Sequence, residues 1–288
     1  MRHGKFTKTV TGLGCALAAS GSLSAASFVL NGTQMTVGVD ESGGLIDASF
    51  PAGIIPAWRP VVDYLRPGSP LQFYSIGVDN QWSAAGYDNF LLGNTFSATT
   101  ANTSAGPILS ATTTGTFGAL SFTQLLWFGV NDTTIRYKIT FQNTSTTDPL
   151  NDVVYAVGLD PDQEAEAGFP FDTYDTLNSI PNGDTVIATG ANLGDWIQIF
   201  SNDPMGHVPS VSEDWDTDPY ILITGPNDGN GDNTINMAFR IGTLDPGQQV
   251  TFGYEISIGT SVIPEPQDYA LLGGLGLLGF AAYRRYRK

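Results

Sequence analysis

Three acidic segments carry most of the chemistry legible in this chain. Asp228-Gly229-Asn230-Gly231-Asp232-Asn233-Thr234 sets an oxygen-bearing side chain at every second position, namely Asp228, Asn230, Asp232 and Thr234. A tight loop wraps a hard cation such as calcium with this spacing. The loop lacks the bidentate Glu of an EF-hand, since Phe239 stands at the twelfth position, and the same letters also spell an Asn/Gly/Asp hairpin turn. Asp160-Pro161-Asp162-Gln163-Glu164-Ala165-Glu166 spaces carboxylates two apart. On a strand they would share one face and repel, so the segment reads as a loop, either solvated or gathered around a cation. Paired carboxylates are also what glycoside hydrolysis requires, one kept protonated and one ionised. The third segment places Glu213, Asp214, Asp216 and Asp218 around Trp215. A sugar could stack on that indole, or surface charge could simply enclose one packing aromatic.

Other chemistries fall away by counting. His3 lies at the extreme N-terminus, which leaves His207 as the sole imidazole of the body, and no Gly-x-Ser-x-Gly elbow stands ready for it to activate. The single cysteine, Cys15, is also N-terminal, so neither a thiol nucleophile nor a zinc site of several Cys or His ligands can be built in the body. Gly274-Leu275-Gly276-Leu277-Leu278-Gly279 has the spacing of a dinucleotide fingerprint, but it sits in an apolar run with no strand before it, and reads as glycine-rich packing. No catalytic residue is assigned.

The elements that must position these residues are strands. The body is crowded with Thr, Val, Ile, Phe and Tyr and punctuated by Gly, Pro, Asn and Asp. From Thr133 to Phe141, Ile135, Tyr137, Ile139 and Phe141 alternate with polar neighbours, as in a half-buried antiparallel strand. Asn143 to Pro149 reads as a turn and Asp152 to Leu159 as the returning strand of a hairpin. Thr251 to Ile258 alternates in the same way. Further strands are expected at Phe28 to Val39, Leu71 to Val78, Phe96 to Thr100, Ile108 to Thr116, Leu120 to Phe128, Trp196 to Phe200, Tyr220 to Thr224 and Thr234 to Ile241. The expected fold is all-β, an antiparallel β-sandwich, one large or two smaller. A Thr/Ser/Ala/Gly-rich stretch at 94–115 allows a subdivision near residue 118.

The termini read as addresses. Arg2, Lys5 and Lys8, the apolar stretch Val10 to Ala19 and the small residues Ser24-Ala25-Ala26 form a signal-peptide pattern over 1–26, with maturation near Ser27. The body, 27–262, is strongly acidic. Of 12 Lys and Arg, three precede it and four follow it, and of 28 Asp and Glu, two lie in the tail, which leaves five cations against 26 carboxylates and a formal charge of −21. Such a field repels phosphate backbones and anionic headgroups, which excludes nucleic acid as a partner, and it enriches divalent cations.

At 263–288, Pro264-Glu265-Pro266 precedes an apolar run from Tyr269 to Phe280 and a basic end with Arg284, Arg285, Arg287 and Lys288. Cations clustered behind a short apolar span hold that end in the cytoplasm. This tripartite tail resembles the PEP-CTERM sorting signal of Gram-negative bacteria. The resemblance implies a single transmembrane helix held transiently in the inner membrane, cut near Pro264-Glu265-Pro266 by an exosortase-type processing enzyme, with delivery to the cell surface or beyond. Thr134 to Thr144 with Leu150 to Val154, and Leu244 to Phe252, resemble hairpin and closing-strand pieces of bacterial Ig-like surface and adhesion domains. That resemblance implies fold and setting and carries no catalytic residue. Together these readings lead to the expectation of a structural or adhesive protein in an exopolysaccharide or biofilm matrix, the alternative being a β-sandwich that binds or degrades extracellular polysaccharide.

Overall fold

A computed structural model describes residues 27–46, 52–88, 96–180 and 183–261. The signal-peptide segment 1–26, the sorting residues Pro264, Glu265, Pro266, Arg284 and Arg285, and the apolar tail lie outside the described residues.

The described residues are mostly β, and every pairing between the named strands is antiparallel. Three strands, β1 (Phe28–Asn31), β2 (Met35–Val39) and β3 (Ile54–Pro56), form a small sheet. A five-stranded sheet runs in the order β14 (His207–Ser212), β15 (Thr234–Leu244), β10 (Leu150–Leu159), β4 (Leu71–Val78), β5 (Gln81–Asp88). An eight-stranded sheet runs β11 (Thr173–Ile180), β12 (Gly183–Gly190), β13 (Asp195–Ser201), β16 (Gln249–Thr260), β9 (Thr134–Asn143), β8 (Leu120–Gly129), β7 (Ile108–Phe117), β6 (Ser97–Asn102). Residues 118 and 119, where a subdivision was allowed, form the β7–β8 turn within that one sheet.

Burial follows from the layers. β8 alternates strictly, with Leu120, Phe122, Gln124, Leu126 and Phe128 facing inward and Thr123, Leu125 and Trp127 facing outward, because one face of the large sheet meets the core and the other meets water. β4 is buried at every position and β10 at almost every one, since the five-stranded sheet is covered on both faces. One cover is the main core shared with the large sheet. The other is a smaller cluster of Leu71, Phe73, Ala156, Leu222, Ile223 and Ala238, with Val208 and Trp215 against it. Tyr155 is the aromatic hub of the main core, with ring centroids 5.4–6.2 Å from those of Tyr74, Phe141, Phe239, Phe252 and Tyr254.

Two sequence expectations are corrected. The segment expected as a strand at Tyr220 to Thr224 contains a short helix, α1 (Pro219–Leu222), because the Asp218 carboxylate accepts the Tyr220 N–H and Pro219 suits a first helical turn. β9 and β10 do not form a hairpin. β9 pairs with β8 and β16 in one sheet, and β10 pairs with β4 and β15 in the other. The connection between them crosses layers and is fastened by the buried Asn143, whose Nδ2 donates to the Asp148 and Leu244 carbonyls at 2.9 Å each and whose Oδ1 accepts the Ser145 N–H. Among the described residues no helix is long and apolar enough to cross a membrane.

Candidate functional site

The two acidic segments weighed separately in the sequence meet. The register Leu159↔Ile235 between β10 and β15 brings the residues after 159 alongside those before 235, and Asp160, Asp162 and Asp232 each turn a carboxylate oxygen to within 4.8 Å of the other two. The backbone fixes both sides. Asp160 N donates to Leu71 O and Asp162 N to Tyr64 O, both at 2.9 Å. The opposing loop is clamped to the start of β11, since Thr173 N donates to Gly231 O at 2.9 Å, Gly231 N to Thr173 O at 3.1 Å and Asp175 N to Asn230 Oδ1 at 2.9 Å. Gly68, at φ 68°, lets its loop pass close by, because a Cβ there would stand 2.9 Å from the Phe171 ring and 3.2 Å from Asp162 Oδ2.

The electrostatics of this cluster are one-sided. Asp160 is 1% exposed and Asp162 2%, and Oδ1 of each is buried without a hydrogen-bond partner. Burial pushes both carboxyls far above their ordinary range, and the charges acting on Asp160 are those of Asp162, Asp232 and Asp175, all raising it further. Asp175 itself is pushed up to about 7, chiefly by burial, although its carboxylate accepts bonds from Thr173 and Asn233. Asp232 is exposed and is raised by partial burial and by Asp172.

Of the four loop residues expected as cation ligands, Asp232 joins this cluster, while the other three make bonds elsewhere. Asp228 accepts the Glu213 N–H at 3.0 Å, Asn230 accepts from Asp175 N, and the buried Thr234 hydroxyl donates to Ser212 O at 3.3 Å. The 160–166 carboxylates part company as well. Glu164 accepts the Asn192 and Leu193 N–H groups at 2.8 and 2.6 Å, and Glu166 accepts the Asp63 N–H at 2.7 Å. Trp215 is a packing aromatic, set against the smaller core with Nε1 donating to Asp232 O at 3.2 Å. His207 begins β14 with Nδ1 2.7 Å from Met205 O and Nε2 3.3 Å from Asp184 Oδ2.

A second feature, unmarked in the sequence, lies on the outer face of the large sheet. The registers Trp127↔Arg136, Arg136↔Glu255 and Glu255↔Phe200 line up Trp127, Arg136, Glu255 and Phe200 as one row across β8, β9, β16 and β13. Three inter-strand steps make the row about 14 Å long. Arg136 is held between two carboxylates, Nη1 at 2.7 Å from Asp132 Oδ2 and Nε at 3.5 Å from Glu255 Oε1. Gly253, beside Glu255, leaves the face hollow, and its N–H donates to Asp203 Oδ2 at 3.0 Å. A Cβ there would come 2.7 Å from Tyr137 O. Trp127, Arg136, Phe200, Asp203, Gly253 and Glu255 line an open hollow of about 160 Å³.

No known protein family and no curated protein sequence matches this chain. Its structure is similar to that of a bacterial glucoamylase solved in complex with acarbose, at a TM-score of 0.54 and 11% identity, over 85% of this chain and 35% of that one. It is also similar, at a TM-score of 0.41 and 8% identity, to a GH36 α-galactosidase from Geobacillus stearothermophilus, over 85% of this chain and 41% of that one. The chain thus spans well under half the length of these proteins. The glucoamylase likeness is one of fold.

Proposed function

We propose that this chain is an exported, non-catalytic protein of the cell surface or extracellular matrix whose β-sandwich binds a neutral polysaccharide. The row Trp127–Arg136–Glu255–Phe200 carries the reading. Two half-buried aromatic faces stand at its ends, and between them a guanidinium fork and a carboxylate, already paired, present donors and acceptors at fixed spacing. The apolar C–H face of a sugar ring stacks on indole or phenyl, and charge-assisted hydrogen bonds from the Arg–Glu pair suit vicinal hydroxyls. Arg136, and Lys138 opposite Gly253, stand against Asp132, Glu255 and Asp203, which leaves the hollow one net negative charge within a body at −21, so an uncharged chain fits better than an acidic one.

Hydrolysis finds little support. The carboxyls with strongly raised affinity for protons, Asp160 and Asp162, are buried away from any substrate, and those beside the hollow are tied to Arg136 or to backbone. Export rests on the signal-peptide pattern of 1–26, and display on the PEP-CTERM resemblance of 263–288, with Pro264-Glu265-Pro266 as the element an exosortase would read and Arg284 and Arg285 holding the cytoplasmic side.

Affinity electrophoresis and calorimetry against neutral glucans, mannans and galactans, with alginate as the anionic contrast, test the binding. We expect retardation by at least one neutral polymer and at least a tenfold loss of affinity in Trp127→Ala and in Phe200→Ala, the effect of removing an aromatic anchor worth over about 1.4 kcal/mol. No neutral polymer bound by the wild type, or unchanged binding in the double variant, would overturn the proposal. Mass spectrometry of surface-released protein tests the processing, and an intact Lys288 terminus would refute it.

A further inference from the structure

We infer that Asp160, Asp162 and Asp232 bind one calcium ion, which ties the end of β10 to the loop before β15. Two independent observations point there. Three carboxylate oxygens converge within 4.8 Å from segments some seventy residues apart, and two of the contributing side chains are almost fully buried with an oxygen that no donor satisfies. A buried, unpartnered carboxylate oxygen is rare in a folded protein unless a proton, a water or an ion completes it. Here the nearest charges are further carboxylates, so a cation relieves burial and mutual repulsion together.

The donor set identifies the ion. All ligands are hard oxygens with neither imidazole nor thiolate, which disfavours zinc and copper. Three oxygens within 4.8 Å of one another fit inside a calcium shell, whose ligands stand about 2.3–2.6 Å from the ion. Magnesium keeps several waters, and the burial of Asp160 and Asp162 leaves little space for them. The exposed Asp232 lies on the open side and gives the ion its way in. Asp175, whose Oδ2 is also buried and unpartnered, adds a fourth carboxyl at the margin. This ligand set differs from the single-loop set of Asp228, Asn230, Asp232 and Thr234, and the proposal is independent of the polysaccharide reading.

Trp215 supplies the probe, since its indole N–H donates to the Asp232 carbonyl and places the ring beside the site. Purified full-length protein stripped with EDTA is titrated with terbium under tryptophan excitation, then with calcium in competition. We expect saturable sensitised emission at one ion per chain, displaced by calcium well before magnesium. Calcium at a hundredfold excess over its Kd should raise the melting midpoint by roughly 5–10 °C over EDTA at matched ionic strength. Asp162→Asn separates ligation from mere structure. Without calcium it should melt no lower than the stripped wild type, because an amide of the same shape takes the place of a buried carboxyl among other carboxyls, yet it should lose the calcium-induced rise and weaken binding at least tenfold. Asp228→Ala should keep both. Absence of saturable binding, magnesium binding as tightly as calcium, or an Asp228→Ala variant that loses the ion while Asp162→Asn keeps it would each overturn the assignment.

Discussion

Replacing Tyr155 by Phe should destabilise the protein by about 2–4 kcal/mol, more than the loss of one hydroxyl would suggest. Tyr155 is 1% exposed on β10, and its hydroxyl reaches across the sandwich to two residues of the large sheet, Gln124 Oε1 on β8 at 3.0 Å and the Tyr254 hydroxyl on β16 at 3.2 Å. Tyr155 donates to Gln124 and accepts from Tyr254. Gln124 is otherwise engaged through Nε2, which donates to Gly43 O at 3.1 Å. The Phe ring fits the same space and keeps the five aromatic neighbours, so no cavity opens. It strands the Gln124 oxygen and the Tyr254 hydroxyl in the core, and each buried group left unpaired costs about 1–3 kcal/mol. Urea unfolding with an unchanged m-value would report the loss, and the melting midpoint should fall by roughly 5–15 °C. The sharper test is the double variant Tyr155→Phe, Tyr254→Phe. It removes one of the two stranded groups, so it should be more stable than the single variant by about 1 kcal/mol or more, with the Tyr137–254 stacking at 4.5 Å preserved. A single variant within about 0.5 kcal/mol of wild type, or a double variant that is less stable than the single one, would refute the reasoning.

Asp63→Ala should cost about 3 kcal/mol by urea unfolding, because the buried Asp63 carboxylate accepts the Gly53, Leu65 and Ile54 N–H groups at 2.6, 3.0 and 3.2 Å; Asp63→Asn, which keeps an acceptor, should lose less. Asp218→Ala removes the helix cap of α1 and should cost about 1 kcal/mol in the same assay. The hydrogen bond from Arg136, helped by the Gly129 N–H, holds the Asp132 carboxyl below its ordinary 3.8. Its folded value therefore lies under its unfolded one, so its stabilisation is complete above the unfolded value and is lost as pH falls through the folded one. Carbon-detected NMR titration should find a midpoint below 3.8, and Arg136→Gln should move it upward.

Much of the large sheet could be read from the letters because water on one face enforces alternation. Ile135, Tyr137, Ile139 and Phe141, and likewise Phe252, Tyr254, Ile256 and Ile258, all face inward as their spacing predicts. The strands that escaped notice have other reasons to form. β11 and β12 carry Thr, Asn, Gly and Ala where bulky residues would mark a face, and β11 lies at a sheet edge. β5 and β14 are edge strands as well: β14 pairs only with β15, some twenty residues on, and β5 folds back on β4 through a two-residue turn at Asp79-Asn80, both at positive φ. The β9–β10 connection shows a different limit. Six residues that follow an Asn suit a hairpin and a crossing between sheets equally well, and the choice is made by β15 and β4, which take the two edges of β10.

The site was legible in parts and illegible as a whole for the same reason. The sequence marked Asp160-x-Asp162 and Asp228-x-Asn230-x-Asp232 as acidic loops, the first with a solvated reading and the second with a hairpin-turn reading beside the cation. What separates a solvated carboxylate from a ligand is burial, and burial depends on the antiparallel register that sets Leu159 opposite Ile235. Once that register is given, residues 160–162 must run beside 232–234, and the clamp between Thr173 and Gly231 closes the loop over them. Within a single acidic segment the carboxylates then divide by what the backbone offers. Glu164 and Glu166 find N–H donors at the β12–β13 turn and at Asp63, whereas Asp160 and Asp162 find an oxygen each with no donor. Alternating carboxylates therefore mark where a cation could bind, and the two left without an N–H mark the place of the proposed ion. The outer row obeys the same logic, since Trp127, Arg136, Glu255 and Phe200 are each unremarkable outward residues until three registers set them side by side.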